Sequence, residues 1–350
     1  MNNLVLIISY KNSLNQQVLK INTFAHNMSK VEKIRKQMNQ FGSNGIPFVF
    51  LVDFLMKKPL IFELRNSDKR LKWQTPLAKN FKDLTNNSIL NKWETAPVSQ
   101  ITFKAGFDKV MRHIHNGDTY LLNYTQPTQI QTNLTLEEIF HVSRAPYKIY
   151  LKDKFVCFSP ETFVKIENGK IYSFPMKGTI DADIDNAEQI ILQDSKEIAE
   201  HNTIVDLIRN DLSLVSENVV VDKFRYLSHI QTNNRNLWQV SSQISGDLPT
   251  NYLNNIGDII FKMLPAGSIS GAPKPKTLDI ISNVENYNRG YYTGVFGYFD
   301  GKNIDSCVLI RYVENDNGQL VYKSGGGITF MSEANKEYDE MLKKVYVPIT

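Results

Sequence analysis

Cysteine is scarce in this 350-residue chain: Cys157 and Cys307 are the only two. Two thiols exclude a disulfide framework and a four-thiolate zinc centre, and they fit a reduced compartment, so a cytoplasmic location is expected. Long apolar runs are also missing. Residues 4–8 have no basic segment before them and no small-residue cleavage site after, so they read as a buried strand and not as a leader. Residues 46–56 are interrupted by Asp53, and nothing approaches the roughly 20 residues that cross a bilayer. Charge of one sign is absent too. With 40 Lys and Arg against 36 Asp and Glu, the net charge is only +4, without a basic block or an aromatic–basic repeat, so nucleic-acid binding is not indicated.

What is present is ordinary globular composition, 42% hydrophobic and 22% charged, in a chain long enough for an ample core. Strand-like runs at 4–9 and 47–53 flank a helical pattern at 29–41. Residues 66–100 are polar and punctuated, and read as a connector with one weak helix. From 101 the pattern tightens into a helix to 116, a Gly117-Asp118 turn and a strand at 119–124. Strand pairs follow at 148–157 and at 163–173, the latter turning at Asn168-Gly169. Helices dominate 186–215. Strands return at 219–226, 238–245, 295–299, 306–312 and 319–324, and a last helix spans 333–346. Hairpin-linked strands grouped between long helices predict an α/β (α+β) fold, with antiparallel or mixed sheets and outer helices in one large domain.

One lysine stands out for the motifs around it. Lys177, in Pro175-Met176-Lys177-Gly178-Thr179, sits on a short bend between a strand-like segment and an acidic helical stretch. The run Lys196-Glu197-Ile198-Ala199-Glu200-His201 continues to Asp206, Arg209, Asn210 and Asp211. At about 100° per residue, Ile204, Val205, Leu207, Ile208 and Leu212 form one apolar stripe, and Glu197 and Glu200 fall inside it. Carboxylates three apart share a helix face, and buried there they need a cation or a proton. The plainer alternative is a first turn that rises into solvent. In the terminal helix Glu337, Glu340 and Lys344 stack beside Met341 and Val345. Alone they read as an exposed ladder worth about a few tenths of a kcal/mol. Taken with the first pair they make an all-oxygen Mg²⁺ site, because that ion takes a few carboxylates and keeps waters for a substrate to displace.

Two glycine-rich turns, 265–274 and Ser324-Gly325-Gly326-Gly327-Ile328, let backbone N–H groups converge on an anion. Neither has a P-loop ending or dinucleotide spacing, and a strained strand-to-helix turn is the other reading. Arg311 is a charge on an apolar strand. Its partner is either a substrate carboxylate gripped bidentately or an internal acid such as Glu314.

In this order the motifs resemble the chorismate-utilising enzymes, the family of anthranilate, aminodeoxychorismate, isochorismate and salicylate synthases. The matching residues are Gly117-Asp118-Thr119-Tyr120, Ser159-Pro160-Glu161, 175–179, 196–211, 267–274, Arg289-Gly290-Tyr291-Tyr292, Arg311, 325–328 and 337–344. The resemblance is nearly continuous over 101–346, and 47–62 looks like a related early strand pair. It implies one domain in which two packed, mostly antiparallel sheets carry outer helices and the active site lies between the halves. Residues 1–100 are then a shortened N-terminal part, and 101–350 the chorismate-binding catalytic region.

Lys177 narrows the branch. Anthranilate- and isochorismate-type members usually carry alanine there, whereas the aminodeoxychorismate synthase component I branch carries a lysine understood as a nucleophile. That branch implies chorismate and ammonia as substrates and 4-amino-4-deoxychorismate, a precursor of 4-aminobenzoate and folate, as product. Two departures sharpen the choice. Leu121 stands where relatives have Gln or a general-base lysine, which argues against the isochorismate and salicylate branch. Trp238 replaces a histidine in Trp238-Gln239-Val240-Ser241, which weakens the anthranilate reading. The reading then assigns Mg²⁺ to Glu197, Glu200, Glu337 and Glu340, and it makes Glu161 the acid for a departing hydroxyl. It makes Lys177 a nucleophile kept neutral by burial and the metal. Gly178, Thr179, Tyr292, Arg311, Gly326, Gly327 and Lys344 become substrate contacts. Neither cysteine lies on a glycine-flanked elbow, so the ammonia is expected from a separate glutamine amidotransferase subunit or from free ammonium.

Overall fold

In the computed structural model, which describes residues 29–65, 68–83, 88–231 and 236–349, the apolar run Phe48–Val52 becomes a strand buried on both faces. Successive side chains of an extended chain point to opposite sides. Phe48, Phe50 and Val52 accordingly share an apolar cluster with helix residues such as Met38 and Ile260. Val49 and Leu51 share another with Trp73 and Ile149. A strand buried in this way needs a helix layer on one side and a second sheet on the other, and that is the architecture.

In chain order the elements are α1 (Lys30–Ser43), β1 (Phe48–Val52), β2 (Leu60–Glu63), β3 (Leu71–Gln74), β4 (Trp93–Pro97), α2 (Gln100–His115), β5 (Leu121–Thr132), α3 (Leu136–Val142), β6 (Tyr147–Leu151), β7 (Phe155–Ser159), β8 (Thr162–Glu167), β9 (Lys170–Ser173) and β10 (Met176–Asp181). They continue with α4 (Ala187–Gln193), α5 (Ser195–Ser213), β11 (Glu217–Gln231), β12 (Asn236–Asp247), α6 (Ile256–Met263), α7 (Gly267–Ser270), β13 (Gly271–Ala272), α8 (Lys274–Val284), β14 (Val295–Phe299), β15 (Ile304–Val308), β16 (Tyr312–Asp316), β17 (Gln319–Ile328) and α9 (Ala334–Lys343). One sheet runs β10-β12-β9-β8-β15-β14-β1-β2, with β11 also on β12; the other runs β13-β5-β17-β16-β7-β6-β3, with β4 on β5. All these strand pairings are antiparallel. Strands from residues before 101 enter both sheets.

The strand expected at 4–9 lies outside the described residues. The expected mixed fold with antiparallel sheets and outer helices is observed, with three local corrections. The 66–100 segment holds β3 and β4 and, among the described residues, no helix. Lys177 is on β10, not on a bend. The single strand expected at 306–312 is two, β15 and β16, and Arg311 lies between them with a φ of 54°, a left-handed conformation that ends a strand.

Candidate active site

Lys177, Gly178 and Thr179 lie on β10, whose register on β12 shifts between Met176 and Thr179. Gly178 has a φ of 81° there, a conformation glycine adopts without a Cβ clash. Facing this strand is the Gly325-Gly326-Gly327 stretch of β17. A Cβ at Gly327 would stand 3.6 Å from Lys177 Nζ and 3.2 Å from Leu121 Cδ1. Between them is a cavity of about 250 Å³, lined by Glu161, Lys177, Gly178, Thr179, Tyr292, Arg311, Gly326, Gly327, Glu340 and Lys344 among others. The structure thus gathers around one space Lys177, Glu161 and the residues expected from the sequence to contact a substrate. A larger groove of about 1020 Å³ holds neither the lysine nor any of the four glutamates.

The glutamates come from two helices. Asp194 caps α5 by accepting the Glu197 N–H at 2.9 Å, and this fixes the turn that carries Glu197 and Glu200. Lys177 Nζ donates to Glu200 Oε2 at 3.2 Å. A Cβ on Gly178 would come within 2.7 Å of Glu197 Oε2. From α9, Glu337 accepts from Ser332 Oγ at 2.8 Å and Glu340 pairs with Lys344 at 2.7 Å. A Cβ on Gly326 would stand 3.4 Å from Glu337 Oε2 and 3.5 Å from Glu340 Oε1. Gly178 therefore leaves room for a carboxylate that a side chain would displace, whereas at Gly326 a Cβ would stand in ordinary contact with the two glutamates. In chemistry the donor set fits a hard divalent cation. In spacing, no three acidic, His or Cys side chains among the described residues stand close enough to hold one as they are. Two of the four carboxylates pair with ammonium groups, Lys177 on Glu200 and Lys344 on Glu340.

The electrostatics are uneven. Burial lowers the Lys177 pKa, but Glu200, Glu340 and Glu197 outweigh it and hold the amine above the ordinary lysine value. That is opposite to the expected neutral lysine, because here the carboxylates face the amine directly. Lys344 behaves as expected of a buried amine: burial pulls it down against the opposing pull of Glu340. Burial likewise pushes the Glu161 carboxyl up, although Ser268, Arg311, Lys177 and Lys344 oppose the shift. A carboxyl raised in this way suits a proton donor.

Arg311 is not paired with Glu314, which instead accepts from Lys323 at 2.8 Å and from Tyr312. The buried Nε of Arg311 has no hydrogen-bond partner among the described residues, and neither do Asn123 Oδ1 and Ser324 Oγ on the same cavity wall. Unsatisfied buried polar atoms are costly, and three lining one cavity fit a polar ligand. Asn123, Ser324 and Ser268, whose hydroxyl donates to Glu161 at 2.7 Å, were not singled out from the sequence. Nor was Gln239, which lines the cavity where Trp238 does not. Trp238 instead packs edge-on against His229 at 4.9 Å.

A family model described as "chorismate binding enzyme" matches residues 54–350. The chain belongs to the chorismate-binding enzymes. An uncharacterised PabA-like protein of Pasteurella multocida is 47% identical over 326 residues, covering 90% of this chain and 98% of that one. Anthranilate synthase component 1 of Acetivibrio thermocellus is 33% identical, covering 71% of this chain and 52% of its own. Aminodeoxychorismate synthase component 1 of Salmonella typhimurium is 29% identical, covering 85% and 67%. Among solved structures, anthranilate synthase component I from Streptococcus pneumoniae superposes with a TM-score of 0.62 at 26% identity, over 73% of this chain and 59% of that one. The menaquinone-specific isochorismate synthase from Escherichia coli shares the fold, with a TM-score of 0.69 at 14% identity over 91% and 81%. No helix among the described residues is long and apolar enough to cross a membrane.

Proposed function

We propose that this chorismate-binding enzyme aminates chorismate at C4, as component I of an aminodeoxychorismate synthase supplied with ammonia by a separate glutamine amidotransferase. The observation that supports this over its relatives' reactions is the Lys177 amine. It lies beside Gly327 and Leu121, 3.2 Å from Glu200, in the same cavity as the half-buried acid Glu161. A lysine there turns one difficult displacement into two easier ones, and Leu121 offers no base to activate water.

Arg311 and the N–H groups of Gly326 and Gly327 hold the pyruvyl carboxylate. Glu200 accepts a proton from Lys177, which then attacks the ring carbon beside the carboxylate-bearing carbon. The double bonds shift, the C4–O bond breaks, and Glu161 gives its proton so that water departs. Ammonia adds at C4, the double bonds shift back, and the bond to Lys177 breaks. The surplus proton on the new amine returns to Glu161, and Glu200 gives its proton back to the released Lys177 amine. Glu197, Glu200, Glu337 and Glu340 would hold Mg²⁺, directly or through waters, and the ion supplies a Lewis acid at the ring carboxylate.

Incubation with chorismate, ammonium and Mg²⁺ should yield a product that retains the enolpyruvyl group. Without ammonia, an adduct of chorismate less one water should accumulate on Lys177 and vanish in Lys177→Ala. Pyruvate released in step with chorismate loss would overturn the assignment in favour of the anthranilate reaction.

A further inference from the structure

One buried ion pair outside the cavity is unused by this chemistry. Asp211, near the end of α5, and Lys274, at the start of α8, meet at 2.6 Å with 6% and 19% of their side chains exposed. Neither lines the 250 Å³ cavity. Both line a different surface cavity of about 620 Å³, with Tyr120 and Arg209.

The pair controls the segment between α6 and α8 at three points. Asp211 Oδ1 takes Lys274, Oδ2 accepts the Gly267 N–H at 3.2 Å, and Lys274 Nζ also donates to the Met263 carbonyl at 2.8 Å. A Cβ at Gly267 would come within 2.7 Å of Asp211 Oδ2, so the glycine permits this approach. The next residue, Ser268, turns its hydroxyl the other way and donates to Glu161 Oε1 at 2.7 Å. A buried carboxylate missing either its cation or its amide would not keep this segment in place, because the group left behind loses its compensation.

We infer that Asp211 and Lys274 are positioning residues that set the Ser268 hydroxyl on Glu161 and so adjust the proposed proton donor from outside the cavity. The inference rests on the role given to Glu161 above. The charged groups facing Glu161 are Arg311, Lys177 and Lys344. None belongs to the segment 263–274, so the influence of the pair runs through the single hydroxyl.

The test uses Asp211→Asn, Ser268→Ala and the double variant, read by infrared titration of Glu161 in ligand-free protein, with Glu161→Gln in each background as reference. Losing the hydroxyl should raise the Glu161 midpoint by about one pH unit, the size of one lost hydrogen bond to a carboxylate. Asp211→Asn should move it in the same direction, and the double variant no further than Ser268→Ala alone. In turnover, Asp211→Asn should cut kcat about tenfold and change KM less than about threefold, with the high-pH limb displaced upwards. An unmoved midpoint in Asp211→Asn or in Ser268→Ala overturns the inference, as does full additivity in the double variant. If Asp211→Asn does not fold, Lys274→Met takes its place with the same expectations, and Lys274→Arg should restore the wild-type midpoint. The titration needs no substrate. A shifted midpoint with no aminated product therefore removes the proposed reaction alone, whereas the proposed product with an unmoved midpoint removes only the positioning role.

Discussion

Leu121 and Lys177 converge on Gly327, and the space between them is set by the missing side chain. A Cβ there would press on Leu121 at 3.2 Å and approach the lysine amine at 3.6 Å. The φ of Gly327 is not among the positive values, so the backbone admits alanine, while Leu121 must give by a few tenths of an ångström to accept it. Gly327→Ala should therefore lower kcat/KM by about tenfold through the methyl group and the displaced Leu121 narrowing the space beside the amine, with a melting temperature close to wild type. A large loss of stability with normal turnover would mean that the glycine serves the sheet and not the site. A second residue-scale prediction concerns Lys148, buried between the rings of Phe140 and Phe81. Burial pulls its pKa from 10.5 down to about 8. Between those values the unfolded chain keeps a proton that the folded protein has released, so stability rises with pH across that window. Below pH 8 the charged lysine carries its full desolvation cost. Lys148→Met should stabilise the protein at pH 7 by roughly 1–3 kcal/mol, an advantage that disappears above pH 10.5 in urea unfolding curves.

The charged members of the site were legible because a charge inside an apolar pattern is an anomaly: Glu197 and Glu200 within the stripe of α5, and Arg311 beside β15. Asn123, Ser268 and Ser324 are neutral and leave no such mark. Their importance depends on which atoms lie opposite, and that is a property of the fold. The charge state of Lys177 was hidden for the same reason, since three glutamates remote in sequence set it.

At the scale of elements, β1 could be read from its unbroken apolar run, while β3 and β4 could not. β3 is only four residues, Leu71-Lys72-Trp73-Gln74, too short to establish a period, and β4 is mostly exposed and ends in Pro97. β10 was obscured by the register shift at Gly178, and the break between β15 and β16 by the left-handed Arg311. The packing of β1 on β14 gives a prediction of its own. Gly297 lies opposite Phe50 in the register, and a Cβ there would overlap the Phe50 ring. Phe50 is fully buried, so the ring has no free space to enter. Gly297→Ala should cost about 1–3 kcal/mol by overpacking. Shrinking the ring in the same background, with Phe50→Leu, should recover part of that loss, and a strictly additive double variant would argue against the contact.

For the molecule as a whole, the two halves of the sandwich each supply part of one site. β10 brings Lys177 and Gly178 on the first sheet, β17 brings Gly326 and Gly327 on the second, and α5 and α9 add a glutamate pair apiece. Glu161 and Glu340 face one small cavity with the cationic Lys177, Lys344 and Arg311, and the two lysines pair with Glu200 and Glu340. A divalent cation alone must compete with Lys177 for Glu200 and with Lys344 for Glu340. A dianionic substrate alone must enter beside those same acids. On the proposed function they would exchange partners, the cation taking the glutamates and the ring carboxylate, Arg311 taking the pyruvyl carboxylate, and Lys177 being released from Glu200 towards the ring. Binding should therefore be coupled, and ligands that favour the folded state stabilise it by about 2.7 kcal/mol at a hundredfold excess over Kd. Thermal melting should rise more with Mg²⁺ and chorismate together than with the sum of each alone. Glu200→Gln and Glu340→Gln should each remove that surplus while leaving the ligand-free melting temperature nearly unchanged. Strictly additive shifts in the wild-type protein would mean that metal and substrate do not share this site.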